Sequence, residues 1–337
     1  MDERLLVSIV CPFFNESGVV DTFFKSLTAE MDRLTDYQFE VICIDDGSED
    51  ATLDELLDSA QSDDRFRILE LSRNFGKEAA LSAGLDTAKG DLVITLDADL
   101  QDPLSLIEQL ILAWEQSDAD VVLARRSDRT SDSRTKRVTA SAYYRLHNFL
   151  SSVKIPADVG DCRLMSRQVV QALSSLPETQ RFMKGLFAWL GFKAITIEYT
   201  RELRVGGNSK FSLWRLWNLG IEGITSFSTL PLRIWTYVGL TGAVFTLLYG
   251  IYIVLRTLIS GNDVPGYASL FTAILFFSSV QLIGLGIMGE YVGRMYMESK
   301  RRPTYLVRKF HNPAKDAHED VDEVVTTRSD HVSERSD

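Results

Sequence analysis

Cysteine and histidine are scarce in this sequence, and their scarcity argues against several kinds of site. The 337 residues include three cysteines and four histidines. Cys11, Cys43 and Cys162 are widely spaced and form no metal-type C-x-x-C pair, so we expect buried free thiols in a reducing compartment. His147 is the only histidine in residues 1–211 and has no evident partner. We interpret it as structural, which disfavours a serine- or cysteine-hydrolase triad.

Three further features are missing, and each disfavours a class of protein. There is no excess of basic charge, since the formal net charge is -11, and this argues against broad binding to nucleic acid. There is no G-x-x-x-x-G-K-[ST] pattern, which excludes a P-loop. The N-terminus lacks the layout of a signal peptide, because its acidic residues precede a short apolar run that ends in Pro12, Asn15 and Glu16.

Two long apolar runs near the C-terminus predict a membrane hairpin. Residues 234–255 form a run of 22 without a charge, and residues 267–289 form a run of 23 in which Gln281 is the only strongly polar side chain. A span of the hydrocarbon core takes about 20 such residues. A buried core helix is the alternative, but soluble helices rarely stay apolar on every face for so long.

Basic residues flank this hairpin, and the loop between the runs has few of them. By the positive-inside rule both termini face the cytoplasm, which predicts a multi-pass membrane protein. We expect amphipathic interface helices at 212–233, transmembrane helices at 234–258 and 267–291, a short periplasmic loop at 259–266, a basic juxtamembrane segment at 292–310 and a disordered acidic tail at 311–337.

Residues 1–211 predict an α/β catalytic domain. Over residues 1–126 continuous β-branched runs alternate with helix-like stretches, as in a doubly wound, mostly parallel sheet covered on both faces. Residues 160–170 and 192–202 predict further strands. Ligands of such folds bind beyond the carboxyl ends of the strands.

Polar side chains follow five of these strands and therefore meet at one edge of the sheet. Asn15 and Glu16 follow the first strand, and Asp45, Asp46 and Ser48 follow the second. Arg73 and Asn74 follow the third strand, and Asp97, Asp99 and Gln101 follow the fourth. Arg125 and Arg126 follow the fifth. One such group would be an ordinary turn, whereas five predict a binding site.

The D-x-D pair Asp97 and Asp99 predicts a divalent cation at this edge. Mg²⁺ takes one or two carboxylates together with phosphate oxygens of a substrate. A bare D-x-D is more often a solvated turn, but its place among four other polar strand ends favours the metal. Asp102, ahead of Pro103, is expected to cap the next helix.

Other polar groups keep two interpretations each. The D-D-G-S turn that ends at Ser48 caps a helix or binds a base. Lys77, next to Gly76 at a helix start, contacts a phosphate or marks only the helix entry. Arg204 and Lys210, on a glycine-rich loop, bind lipid headgroups or the phosphate of a lipid substrate.

Several segments together resemble a known family. "SIVCPFFNE", "VICIDDGSEDAT", "LSRNFGKEAALSAGLDTAKGD", "ITLDADLQDP" and "GDCRLMSR" are similar to glycosyltransferase family 2 with the GT-A fold. With "GNSKFSLWRLWNLGIEGITSFSTLPLRIW" and "GIMGEYVGRMYMESKRRPTY", the chain resembles the polyprenyl-phosphate glycosyltransferases, which include bactoprenol glucosyltransferases and dolichyl-phosphate mannose synthases. The resemblance runs from about residue 6 to residue 308.

The resemblance implies an enzyme of the bacterial inner membrane. It would transfer glucose, with inversion, from UDP-glucose to undecaprenyl phosphate at the cytoplasmic face, using Mg²⁺ or Mn²⁺. The lipid bilayer, a separate flippase and a downstream glucosyltransferase are implied partners in O-antigen glucosylation, and homo-oligomerisation stays open.

The resemblance also assigns roles to residues. The nucleotide would be held by Pro12, Asn15, Glu16, Asp46, Lys77 and Asp97. The metal ligands would be Asp97, Asp99 and Gln101. The acceptor phosphate or leaving group would face Arg126, Arg137, Arg163, Arg204 and Lys210. The catalytic residues would be Asp161 and Asp99, with Asp161 at the position of a base.

The role of Asp161 as a base is open on chemical grounds. A phosphate monoester has a second pKa of about 6, so most of the acceptor is a dianion near neutral pH. Asp161 would then orient Arg163 or the acceptor and would not remove a proton.

Three alternatives remain. The sugar could be N-acetylglucosamine, mannose or a modified arabinose, because no sequence pattern identifies the residues of the sugar pocket. The chain could also be a non-catalytic membrane subunit, which the joint presence of Asp97, Asp99, Asp161 and Arg204 disfavours. A channel or flippase is disfavoured by the lack of charged residues inside the apolar runs.

Overall fold

The computed structural model describes residues 4–127, 159–179, 181–200, 230–260 and 266–312. The chain divides into two compact units. The first contains Met1–Tyr144, Lys154–Ser212 and Arg302–Asp337, and the second contains Arg145–Val153 and Leu213–Arg301. Arg137, Arg204, Lys210, most of the predicted interface helices and most of the acidic tail lie outside the described residues.

The first unit alternates strands and helices along the chain. Its strands are β1 (Leu6–Phe13), β2 (Gln38–Asp45), β3 (Phe66–Leu71), β4 (Leu92–Thr95), β5 (Val121–Arg126), β6 (Val159–Ser166), β7 (Ala194–Tyr199) and β8 (Val307–His311). Its helices are α1 (Val20–Arg33), α2 (Thr52–Ala60), α3 (Lys77–Thr87), α4 (Leu106–Glu115), α5 (Arg167–Ser174) and α6 (Met183–Leu190).

The eight strands form one mixed sheet in the order β7-β5-β6-β4-β1-β2-β3-β8. β1 pairs in parallel with both β2 and β4, and β2 pairs in parallel with β3. β6 is antiparallel to β4 and β5, and β8 is antiparallel to β3. This confirms the predicted doubly wound, mostly parallel sheet. The strand order reverses between β1 and β4, and such a switch point is where ligands bind at the carboxyl edge.

Apolar strands and a small-residue helix hold the site-bearing edge of the sheet in place. β1 and β2 are buried along almost their whole length, as their continuous apolar sequences require. Gly84 of α3 lies so close to the sheet that a Cβ there would overlap the side chains of Val10 and Ile44. Helix α3 therefore packs directly on β1 and β2, which fixes the position of its first residue, Lys77.

The region after residue 159 differs in part from the sequence prediction. β6 and β7 confirm strands within 160–170 and 192–202, but α5 already begins at Arg167. β8 was not predicted, because its sequence V-R-K-F-H belongs to a segment interpreted as basic and juxtamembrane. It pairs with β3, where Arg308 contacts Glu70 at 3.0 Å, and Tyr305 just before it donates to Asp86 at 2.9 Å.

The second unit contains two long helices, α7 (Leu230–Ser260) and α8 (Tyr267–Ser299). Among the described residues one segment, Ile234–Tyr252 of α7, is long and apolar enough to cross a membrane, and it is not buried within the protein. The second predicted span lies in α8, which continues past it to Ser299. The helices touch where Gly284 meets Trp235, since a Cβ at Gly284 would overlap the indole.

Candidate active site

An alternating chain of charges lies at the carboxyl edge of the sheet. Lys77 Nζ, at the start of α3, is 2.7 Å from Asp97 Oδ1 and 2.6 Å from Asp161 Oδ2. Asp97 follows β4, and Asp161 lies on β6, the antiparallel neighbour of β4. The structure thus brings together three of the residues that the sequence predicted for this site.

A fourth member of this cluster, Lys184, was not predicted. Its Nζ lies 3.3 Å from Asp161 Oδ1. Lys184 is on α6, more than 20 residues after Asp161 in the chain, and belongs to no recognisable motif. The packing of α6 on α5 and its side-chain contacts with α3 and β6 bring it to the site.

Asp46 supports the loop that leads into α3. Its Oδ1 accepts the backbone N–H of Phe75 at 2.7 Å and its Oδ2 that of Gly76 at 2.9 Å. Gly76 has φ 97°, a left-handed conformation that glycine adopts without strain. Both carboxylate oxygens of Asp46, a predicted nucleotide ligand, therefore hold the loop that orients Lys77.

Asn15 joins the loops that follow β1 and β2. Its backbone N–H donates to Ser48 Oγ at 3.1 Å, and its Oδ1 accepts the N–H of Glu49 at 2.8 Å. The N–H of Glu16 donates to Thr52 Oγ1 at 2.9 Å. Pro12 lies within β1, beside Ile44 of β2. These residues frame one side of the switch point.

The neighbouring Asp45 is almost fully buried. Its Oδ2 accepts the N–H of Ser48 at 3.2 Å, and its Oδ1 has no hydrogen-bond partner within the described part of the chain. Burial raises the pKa of Asp45. Of the two aspartates in this turn, Asp46 braces the next loop and Asp45 closes its own.

The D-x-D segment has a different role at each aspartate. Asp97 is ion-paired with Lys77, whereas Asp99 Oδ1 accepts the N–H of Gln101 at 3.1 Å. Asp102 is buried and accepts a hydrogen bond from Tyr199 Oη at 2.5 Å. The expectation that Asp102 caps α4 is therefore wrong. That helix begins at Leu106 with Ser105 at its N-cap position, and Asp102 Oδ1 is bonded to the buried tyrosine hydroxyl.

Asp97 and Asp99 fit a divalent cation only if a bound substrate supplies the remaining oxygen ligands. Within the described ranges no three His, Cys, Asp or Glu side chains are grouped so as to hold a metal ion. Asp97 and Asp99 supply two hard oxygen ligands, which suits Mg²⁺ or Mn²⁺ completed by phosphate oxygens. Burial raises the pKa of Asp97, Lys77 opposes this, and Asp161 and Asp99 add to it. A cation here would offset that repulsion.

Asp161 is held as a carboxylate. Burial alone would raise the pKa of Asp161, but Lys77 and Lys184 together bring it well below its usual range. A carboxylate with so low a pKa is a weak proton acceptor near neutral pH. Its geometry suits holding two cations in place more than removing a proton.

The predicted arginines occupy different environments. Arg163 is only 4% exposed; its guanidinium donates to the Gly160 carbonyl at 3.2 Å and lies 4.0 Å from the centre of the Phe187 ring. Arg163 is therefore a buried residue that supports the site. Arg126 lies at the end of β5, opposite Tyr199 in the sheet, and is partly exposed.

Comparison with known proteins identifies the family of this chain. The glycosyl transferase family 2 domain matches residues 8–174, and the GtrB C-terminal hairpin matches residues 230–295. The chain is 52% identical over 305 residues to the SfII prophage-derived bactoprenol glucosyl transferase of Shigella flexneri, covering 90% of this chain and 98% of that protein. It is 50% identical over 303 residues to a prophage bactoprenol glucosyl transferase homolog of Escherichia coli K12, with the same coverage of 90% and 98%.

A solved structure matches part of the chain at lower identity. It is glucosyl-3-phosphoglycerate synthase from Mycobacterium tuberculosis in complex with Mn²⁺, UDP and phosphoglyceric acid, with a TM-score of 0.47 and 21% identity over 66% of this chain and 76% of that one. The two family matches and the relatives at 50% identity or more span most of the sequence. The chain therefore belongs to glycosyltransferase family 2 and carries a C-terminal hairpin of the GtrB type.

Proposed function

We propose that this protein transfers glucose from UDP-glucose to undecaprenyl phosphate, giving β-glucosyl phosphoryl undecaprenol and UDP. One observation carries the proposal: the ion-paired cluster of Asp97, Lys77 and Asp161 lies at the switch point of a chain that is 52% identical to a bactoprenol glucosyl transferase. The product would serve O-antigen or other cell-envelope glucosylation.

The donor binds at the switch point, with its nucleotide beside the ends of β1 and β2. Pro12, Asn15 and Glu16 border the nucleotide, and Asp46 acts through the loop that it braces, which presents Lys77. Asp97, Asp99 and Gln101 would hold Mg²⁺ or Mn²⁺. The cation would neutralise charge that develops on UDP as it leaves.

The acceptor phosphate needs steering more than activation. Its second pKa is about 6, so the dianion predominates near neutral pH. A phosphate oxygen attacks the anomeric carbon from the face opposite UDP, the bond from that carbon to the UDP oxygen breaks, and the configuration inverts. Asp161 keeps Lys77 beside the reaction centre, and Arg126, Arg137, Arg204 and Lys210 supply further positive charge.

The hairpin keeps the reaction at the bilayer surface. In this proposal α7 and α8 both span the inner membrane, and the interface helices at 212–233 lie at headgroup depth. The catalytic domain at 1–211 and both termini are cytoplasmic. Two spans are too few for an obvious pore, so a separate flippase moves the product and another transferase uses it.

A donor panel tests the proposal. The purified protein is given undecaprenyl phosphate with radiolabelled UDP-glucose, UDP-N-acetylglucosamine, GDP-mannose or UDP-aminoarabinose, with and without Mn²⁺. We expect lipid-linked sugar from UDP-glucose. Label from another donor alone would overturn the glucose assignment, and no lipid product from any donor would overturn the transferase assignment.

A further inference from the structure

Helix α6 delivers one positively charged side chain to the candidate site from a fixed position. Its start is anchored on α3, since Glu78 Oε2 accepts the N–H of Met183 at 3.3 Å, and the guanidinium of Arg181, just before the helix, donates to Ser82 Oγ at 3.3 Å. Met183 and Leu186 are buried, which holds the helix against the domain. These contacts and the buried side chains fix the start of α6 against α3.

Two residues one turn apart on α6 face β6. Lys184 Nζ lies 3.3 Å from Asp161 Oδ1, and the ring of Phe187 lies 4.0 Å from the Arg163 guanidinium. Residues three apart share one face of a helix, so this face of α6 covers the β6 segment that carries both charged residues.

The two lysines that flank Asp161 are held unequally. Lys77 contacts both Asp97 and Asp161 at 2.7 Å or less, whereas Lys184 has one carboxylate contact within the described ranges, at 3.3 Å. The Lys184 side chain is 31% exposed. It can therefore keep its contact with Asp161 and still donate to a second anion from solvent.

We propose that Lys184 is a binding residue for the phosphate of the lipid acceptor, with Asp161 as the counter-ion that holds it ready. An ammonium group has three donors, so one can remain on Asp161 while others reach a phosphate oxygen. This rests on the proposed function, because it names the residue that recognises the acceptor in that same site. It also gives Asp161 a positioning role that requires no proton transfer.

Binding of a short polyprenyl phosphate tests the assignment without relying on turnover. Farnesyl phosphate and farnesol are titrated into the full-length protein in detergent, and UDP is titrated separately. We expect Lys184→Met to weaken farnesyl phosphate binding about tenfold, as loss of one charge-assisted hydrogen bond would, with UDP affinity within about twofold of wild type. Farnesol binding should not change, and Lys184→Arg should retain most of the phosphate affinity.

Lys193→Met is the matched control. Lys193 is paired with Asp118 at 3.0 Å on the surface and does not belong to the cluster. Wild-type affinity for farnesyl phosphate in Lys184→Met would overturn the proposal, as would an equal loss of UDP affinity. If the wild type makes no lipid-linked glucose but Lys184→Met still weakens farnesyl phosphate binding selectively, the proposed function fails and the binding residue stands.

Discussion

Asp46 accepts the backbone N–H of Gly76 at 2.9 Å, so an aspartate at the end of β2 fixes the residue that precedes α3. A second bond from Phe75 to the same carboxylate makes the support bidentate. The placement of Lys77 between Asp97 and Asp161 thus depends on Asp46 after β2, which lies two strands from β4 in the sheet order.

Replacement of Asp46 should affect stability and activity together. Asp46→Ala leaves two loop N–H groups without their acceptor, so we expect the free energy of unfolding to fall by about 1–3 kcal/mol. Transfer activity should fall further, because Lys77 loses its fixed position. Urea unfolding and a transfer assay measure the two effects. Asp58→Ala, at an exposed position of α2, should stay within about 0.5 kcal/mol of wild type. Full activity in a destabilised Asp46→Ala protein would contradict the supporting role.

Removal of the metal should abolish transfer. In the proposed function Asp97 and Asp99 would provide the carboxylate ligands, so EDTA should stop the reaction and excess Mn²⁺ or Mg²⁺ should restore it. Asp99→Ala should lower kcat by about 100-fold or more, since metal stabilisation of developing charge amounts to several kcal/mol. Asp54→Ala, on the exposed face of α2, is the control. Transfer that is indifferent to EDTA would refute the metal assignment.

Asp161→Asn should separate turnover from donor binding. The amide keeps the size of the side chain but cannot pair with Lys77 and Lys184, so we expect kcat to fall at least about tenfold. The affinity for UDP, measured by calorimetry, should change by less than about twofold because Asp46 and its loop are untouched. A matching loss of UDP affinity would place Asp161 in the donor site.

Glu78 should make stability depend on pH. Burial, with help from Asp161, raises the pKa of Glu78 to about 7, while Lys77, Lys184 and the N–H of Met183 oppose the rise. The folded state therefore binds this proton more tightly than the unfolded chain, whose glutamate has a pKa of about 4.3. The contribution of Glu78 to stability is complete below that value and is lost as the pH rises to about 7.

Glu78→Gln removes this titration while keeping an acceptor for Met183. We expect the decline of Tm between about pH 4.3 and pH 7 to become shallower, and the variant to be more stable than wild type at pH 8. Scanning calorimetry across this range measures both. Glu49→Gln, at an exposed position, should leave the profile as it is. An unchanged slope in Glu78→Gln would show that Glu78 is ionised throughout.

Tyr199→Phe should destabilise the first unit. It removes the donor that lies 2.5 Å from the buried Asp102 carboxylate, and hydrogen bonds to charged groups contribute about 1.5–3 kcal/mol. Tyr37→Phe removes a similar bond to Glu115, at 2.7 Å but exposed, and should cost less than about 1 kcal/mol. Equal losses of unfolding free energy would contradict the dependence on burial.

The sheet could be predicted where the strands are apolar throughout. β1 to β4 run through the interior, so their sequences are continuous and β-branched. β8 could not be predicted, because its three basic residues are typical of a surface segment and its partner Glu70 is distant in the chain. The helical part of 160–170 was missed because the apolar residues Val169 and Val170 suit a strand as well as the buried side of α5.

The site residues could be predicted where polar side chains lie at the ends of strands. Asp97 and Asp161 follow from motifs, and Lys77 from a glycine before a helix. Lys184 depends on how α6 packs, which no local pattern records. The bracing role of Asp46 and the pairing of Asp102 with Tyr199 depend on which backbone and hydroxyl donors surround each carboxylate, and that is a property of the folded chain.

The strands on either side of the second unit in the chain lie at opposite edges of one sheet. β7 ends at Tyr199 before the hairpin, β8 begins at Val307 after it, and seven neighbouring pairs of strands separate them in the sheet. At about 4.8 Å for each pair, β7 and β8 are roughly 34 Å apart across the sheet. The sheet of the first unit therefore needs chain from both sides of the hairpin, and a protein truncated before β8 would leave the edge of β3 unpaired.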